Sequence, residues 1–177
     1  MRLNLKRLNA TIPPNMNRFF SPSMGELLLD GLVLEIAQYI KEKGDHLYRL
    51  VIGTDSQTRG SNGLSEIFFV TAVVLHRVGL GGRYFWSRDK RLGKMFLRDR
   101  IYTETLLSLS LAQTLVPLIR KAVPDELYEL EIHIDVGPNG ATRDMIKEVV
   151  GMVSGMGLIA KTKPDSYGAY VVADRHT

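Results

Sequence analysis

Four acidic residues, Asp55, Glu104, Asp135 and Asp174, stand at places where a folded chain does chemistry. Asp55 follows the apolar run Leu50-Val51-Ile52 and the small-residue corner Gly53-Thr54. A carboxylate at the end of a buried strand faces the crevice off the sheet, where α/β proteins hold their ligands. The plain alternative is a strand closed by an Asx-type turn. Asp135 repeats the pattern, ending the run Leu127 to Val136 before Gly137. Glu104 lies near the centre of a helical stripe made by Leu97, Ile101, Leu107, Leu111, Leu115 and Leu118. A carboxylate there is buried, and an unpaired buried charge is costly. It requires a cation, a basic partner or a neutral form, and Arg100, one turn away, offers the structural answer of a salt bridge. Asp174 shares a helical face with Tyr167, Tyr170 and Val171, and a solvated helix end is its plain alternative.

Brought together, four acids repel one another and need cations to be stable. Their hard oxygens select Mg²⁺ or Mn²⁺. Two such ions roughly 3.5–4 Å apart can activate a water and stabilise a leaving oxygen in phosphodiester cleavage. His176, two residues beyond Asp174, is a candidate for proton transfer or water ordering, or else a solvated residue.

The elements that must position these groups follow from periodicity. Residues 1–20 read as an extended arm. Residues 21–44 read as an additional helix, opened by Ser21-Pro22-Ser23, carrying Leu28, Leu29, Leu32, Val33, Ile36, Ala37 and Ile40, and closed by Gly44. The Asp55 strand comes next. Two β-type runs around Gly79-Leu80-Gly81-Gly82 then predict a hairpin. That Gly-rich connection joins strands and opens no helix, so it is no phosphate loop. A long helix over 95–122, the Asp135 strand, a helix ending at Gly157, a short strand at Leu158-Ile159-Ala160 and a last helix complete a single domain over 1–177. At 177 residues and 19.9 kDa, with 45% hydrophobic residues, one sizeable core is expected.

The order of three strands, helix, strand, helix, strand, helix, with Asp, Glu, Asp, Asp at these places, resembles the ribonuclease H superfamily. Gly53-Thr54-Asp55-Ser56-Gln57, His133-Ile134-Asp135-Val136-Gly137, Lys163-Pro164-Asp165-Ser166 and Ala173-Asp174-Arg175-His176 resemble more narrowly a small, poorly characterised bacterial family of predicted ribonuclease H-like nucleases. The resemblance covers the chain from about Ser21 onwards. It implies an α/β fold with a five-stranded mixed sheet, order 3-2-1-4-5, helices on both faces and an extra N-terminal helix. By the matching motifs Asp55, Glu104, Asp135 and Asp174 would be the metal ligands.

Charge gives a separate pointer. The chain is net +4, yet Arg83 to Arg100 holds seven basic residues against Asp89 and Asp99. Arg83, Arg88, Lys90, Arg91 and Lys94 are candidate nucleic-acid contacts, interleaved with Tyr84, Phe85, Trp86 and Phe96. A solvated hairpin edge with gatekeeper charges is the alternative. The absence of cysteine excludes a thiolate site and fits a reducing cytoplasm. The four histidines lack metal-ligand spacing. Neither a signal peptide nor a membrane span is expected, and no feature names a protein partner. Three readings follow: a Mg²⁺- or Mn²⁺-dependent nuclease, a nucleic-acid-binding module without turnover, and a nucleotide-binding relative. The lack of a phosphate loop and of a duplicated domain argues against the last.

Overall fold

A computed structural model describes residues 17–42, 46–60, 65–123, 128–140 and 142–176, with the side chains of 167–170 left aside. Most of the expected arm, residues 1–16, and Gly44 lie outside that range. The described elements are β1 (Arg18–Ser21), β2 (Gly25–Leu28), α1 (Leu29–Lys41), β3 (Tyr48–Arg59), β4 (Glu66–Arg77), β5 (Gly81–Leu92), α2 (Leu97–Ala122), β6 (Tyr128–His133), α3 (Ile146–Ser154), β7 (Ile159–Lys161) and α4 (Tyr167–His176).

The N-terminal expectations need correction. Residues 18–20 are strand, and the helix expected from Ser21 begins only at Leu29. Gly25, at φ 71°, takes a left-handed conformation and turns the chain, so Arg18–Ser21 and Gly25–Leu28 pair as a small antiparallel hairpin. Phe20 of that hairpin pairs with Trp86 of β5. The sheet therefore has seven strands in the order β2-β1-β5-β4-β3-β6-β7, where five in the order 3-2-1-4-5 were expected. The expected strands form its run β5-β4-β3-β6-β7, and the early hairpin extends the β5 edge.

The sheet is mixed. β3, β4 and β5 are antiparallel, and β6 and β7 run parallel to β3. The β4–β5 turn follows the glycines: Gly79 and Gly81 have positive φ, and a Cβ on Gly82 would lie 2.4 Å from the Leu75 carbonyl oxygen. One face carries α1, α2 and α3. Leu32, Ile36 and Ile40 of α1 and Leu111, Leu115 and Ile119 of α2 pack with Leu50, Ile52, Ile67, Phe69 and Phe85 of the sheet. On the other face Val172 and Ala173 of α4 cover Val51, Val70 and Ala72. Strand alternation thus assigns each sheet residue to one helix layer or the other. Among the described residues no helix is long and apolar enough to cross a membrane.

Inside the α2 layer, Thr54 joins β3 to its neighbours through buried hydroxyls. Thr54 Oγ1 lies 2.9 Å from Thr71 Oγ1 and 2.8 Å from Ser108 Oγ, and Ser108 donates to the Glu104 carbonyl at 3.1 Å. Each hydroxyl has one hydrogen, so the direction is set: Thr71 donates to Thr54, Thr54 to Ser108, and Ser108 to α2. Thr54→Val keeps the volume and leaves the Thr71 hydroxyl without its acceptor. It is expected to destabilise the fold by about 1–3 kcal/mol in urea titration. An unchanged midpoint would show that the relay adds nothing to stability.

Candidate functional site

Register brings the site together. The parallel pairing of β3 with β6 ends at Gly53 and His133, whereas β3 continues to Arg59 against β4. Asp55 and Asp135 each follow two residues later, on the same face, where the two chains have parted. The strand does not stop at Asp55, as its sequence suggested. Antiparallel pairing with Val70 carries β3 through it, and only its β6 side opens. Asp135 likewise lies beyond the end of β6.

Asp135 is held from the other side. The Ile134 amide donates to the Lys161 carbonyl, and the Lys163 amide to the Val136 carbonyl, so the segment after β7 stays docked alongside. A Cβ on Gly137 would come within 3.3 Å of the Lys163 Cβ, so glycine permits this approach. Lys163 Nζ then reaches Asp135 Oδ1 at 2.6 Å.

Glu104 projects from α2 and is only 4% exposed. Its Oε1 accepts a 2.6 Å hydrogen bond from Ser56 Oγ, the residue after Asp55. Arg100 does not meet the carboxylate directly, as the structural alternative required. Its Nε donates to Ser56 Oγ at 2.9 Å and its Nη2 to the Ser56 carbonyl at 2.5 Å, so Ser56 bridges it to Glu104, which its charge also reaches through space. Burial pushes the Glu104 pKa up to about 8. The Ser56 hydrogen bond opposes this, Asp55 adds to it, Arg100 opposes, and Asp135 adds again. The Asp55 pKa is raised too, first by burial and then by Asp135 and Asp174, against the Ser56 backbone amide and Arg100. The four acids therefore feel one another across one corner of the domain. Asp174, exposed on α4, is coupled through Asp55. Among the described residues no three of these side chains stand close enough to hold a metal ion in their present positions. The donor set nevertheless suits a hard cation, being carboxylate oxygen throughout.

His176 is placed differently. Its ring stacks on Trp86 at 3.7 Å and 6° between planes, and its carbonyl accepts from Arg88 Nη2. Burial, then Arg88 and Arg175, lower its pKa, and no carboxylate figures among those influences. The structure thus groups His176 with β5 and not with the four acids.

The basic cluster divides. Along β5, Arg88 and Lys90 share the face of Trp86 and Asp55, while Arg83 and Arg91 point to the α1–α2 side. Arg83 pairs there with Glu35 at 3.0 Å and lies over Tyr39, and Arg91 pairs with Asp89 at 3.2 Å. Lys94 lies in the turn before α2, with Thr58, Ser65, Met95 and Phe96 around it. A strand of period 2 cannot present a continuous charge run to one partner.

Two features were not picked out from the sequence. Ser56 links Glu104 to Arg100, and only its adjacency to Asp55 pointed there. Glu131 and His133 form a buried pair, Oε2 to Nε2 at 2.9 Å, on the Asp135 face of β6. The alternation of β6 placed both opposite Ile132 but could not say that this side would be covered too.

Comparison with known proteins agrees with this architecture. The Ribonuclease H-like family model matches residues 32–177. An uncharacterised protein of Bacillus subtilis strain 168, YkuK, is 30% identical over 172 residues, covering 90% of this chain and 96% of that protein. No solved structure matches.

The buried acid predicts a pH dependence. Glu104 keeps its proton in the folded protein up to about 8, against an ordinary 4.5. Its contribution is fully present below pH 4.5 and is lost as pH rises through about 8, because the unfolded chain releases the proton earlier. Urea melts in EDTA between those limits are expected to show wild-type stability falling with pH. In Glu104→Gln that fall should be shallower, with the residual slope set by Asp55, whose shift has the same sign, against His133 and His176, whose lowered pKa values act in the opposite direction. An identical slope in the variant would remove Glu104 as its source.

Proposed function

The chain belongs to the ribonuclease H-like family, and from that premise we propose that it is a divalent-metal-dependent nuclease cutting phosphodiester bonds in RNA or DNA. The observation that carries the reading is Glu104: a carboxylate buried on α2, with Asp55 and Asp135 near enough to raise its pKa. A fold gains nothing from gathering like charges in a low-dielectric corner unless something positive joins them.

In this proposal Asp55, Glu104, Asp135 and Asp174 hold Mg²⁺ or Mn²⁺, two ions with substrate present. Bound there, the ions would lower the pKa of the attacking water and stabilise the leaving oxygen. The chain's own part is positioning. Ser56 orients Glu104, and Arg100 fixes Ser56 by two hydrogen bonds. Lys163 neutralises Asp135 and would have to yield to the arriving cation. Glu104, protonated while the site is metal-free, would lose its proton as the cation binds, so affinity should rise with pH.

A second reading has one observation behind it. The 2.6 Å pair between Lys163 and Asp135 supplies a resident positive charge without any ion. On that basis the domain would bind nucleic acid on the same fold without turnover.

Cleavage of labelled single strands, duplexes, hybrids and junctions with Mg²⁺ or Mn²⁺ separates the two readings. Activity should stop with EDTA, and Asp55→Asn should lose about 10²-fold or more while melting as a folded protein, the order of loss when a pre-arranged electrostatic group is removed. Undiminished cleavage by Asp55→Asn would assign the activity to other residues. No cleavage of any substrate, with binding retained, would favour the second reading.

A further inference from the structure

Beside the four acids lies an open stretch of sheet with the opposite charge. The face that α4 covers at Val51, Val70 and Ala72 continues past the end of that helix. In the cross-strand row Asp55–Val70–Arg88, the acid and the cation lie two strand spacings apart, about 10 Å. The next row is Gln57–Phe68–Lys90, and Arg59 follows on β3. Gln57, Arg59, Arg88 and Lys90 are exposed, and Phe68 is half-buried.

The Phe68 ring gathers three cations. The Arg59 guanidinium carbon lies 5.5 Å from its centroid, that of Arg88 5.8 Å and Lys90 Nζ 5.8 Å. One aromatic ring offers each cation a modest attraction. It does not neutralise three positive charges brought to one place, and on this face they meet Glu66, which pairs with Lys90 at 2.5 Å. Arg88 also holds the His176 carbonyl, so its guanidinium is tied to the end of α4. The result is a fixed electropositive patch around an aromatic ring, one row from Asp55.

Resting on the nuclease reading of the neighbouring acids, we propose that this patch seats a single-stranded stretch of nucleic acid, with Arg59, Arg88 and Lys90 on its phosphates and one base against Phe68. Charge complementarity selects a polyanion. The ring selects a strand whose bases are unstacked, since a duplex keeps its base faces covered. The row register leads such a strand from Phe68 past the exposed Gln57 beside it to Asp55, so that the seat feeds the acids. Arg83 and Arg91, on the opposite face, take no part.

The test is fluorescence anisotropy with labelled oligo-dT and oligo-U, in EDTA so that binding is read without turnover. The wild type should bind both strands more tightly than a duplex of equal length. Arg59→Ala/Arg88→Ala/Lys90→Ala should lower the slope of log K against log salt by about 2 units, at roughly 0.7 per phosphate contact on a single strand. Phe68→Ala should weaken binding about 5- to 150-fold, the range for one stacked base, at nearly unchanged slope. Phe68→Trp should retain binding, and Arg83→Ala/Arg91→Ala should match the wild type. Thermal melts check that each variant is folded, and Phe68→Trp covers the case in which Phe68→Ala does not fold. Equal affinity for wild type, the triple variant and Phe68→Ala would overturn the seat. So would a preference for duplex. Cleavage that survives alongside such a result would leave the nuclease standing without this seat. Variant-sensitive binding with no cleavage would leave the seat standing without the nuclease.

Discussion

Parallel pairing between β3 and β6 stops at Gly53 and His133, and most of the site depends on that end point. Up to it, β3 is buried between two strands and two helix layers, with Leu50 and Ile52 turned to one layer and Val51 to the other. Beyond it, β3 keeps β4 but loses its β6 neighbour. Asp55 and Asp135 sit just past the fork, each held by the strand that precedes it. A slip of β3 by one residue would turn Asp55 into the α2 layer and Thr54 out of it, and would part Asp55 from Asp135. The hydroxyl relay from Thr71 through Thr54 to Ser108 pins β3 against α2 at this row, so the same few residues fix both the register and the fork.

That geometry sets the electrostatics. The helix α2 must bury its stripe against the sheet, and Glu104 lies within the stripe, so packing carries its carboxylate to Ser56. Burial is the largest cause of its raised pKa, and the neighbouring acids add to it. The compensations are arranged around the rim. Arg100 works through Ser56, and Lys163 reaches Asp135 from the far side of the β6–β7 pair. Neither basic residue removes the repulsion between Asp55 and Glu104 in the centre. A protonated Glu104 is how the metal-free protein accommodates the cluster at neutral pH.

Much of this was legible in the sequence, because the strongest signals were periodic. The stripe of α2 exposed Glu104 as an acid out of place, and the apolar runs before Asp55 and Asp135 marked the two strands that carry these acids, although β3 continues past Asp55 to Arg59. The glycines of the β4–β5 turn announced the hairpin. What escaped has physical reasons. Arg18–Ser21 and Gly25–Leu28 are four-residue strands whose stability comes from pairing with each other and with Trp86, a tertiary effect that local pattern does not carry. Leu28 fitted the helical period of the following helix, and Ser21-Pro22-Ser23 offered a helix start, so the helix was begun too early. The role of Ser56 as a bridge depends on where Arg100 points, and the burial of Glu131 and His133 depends on a second layer above β6. None of these is a property of a window of sequence.

The basic cluster shows the same limit from the other side. Seven cations between Arg83 and Arg100 looked like one surface, yet β5 sends alternate residues to opposite layers. Arg83 ends against Glu35 and Tyr39, where it braces α1 to the sheet edge. Arg88 and Lys90 end on the open face, where β3 adds Arg59 and β4 adds Phe68, neither belonging to the run. Charge counted along the chain therefore overstated the cluster and missed Arg59, and with it the Phe68 ring around which the cations gather. Counted across the sheet, the charges separate into an acidic corner at the β3–β6 fork and a basic stretch over β3, β4 and β5, which meet in the row Asp55–Val70–Arg88. A ligand that spans both must itself be negative where it meets the cations and must bring or meet positive charge where it reaches the acids. That pairing, set by strand register, is the strongest physical constraint on what this domain can bind.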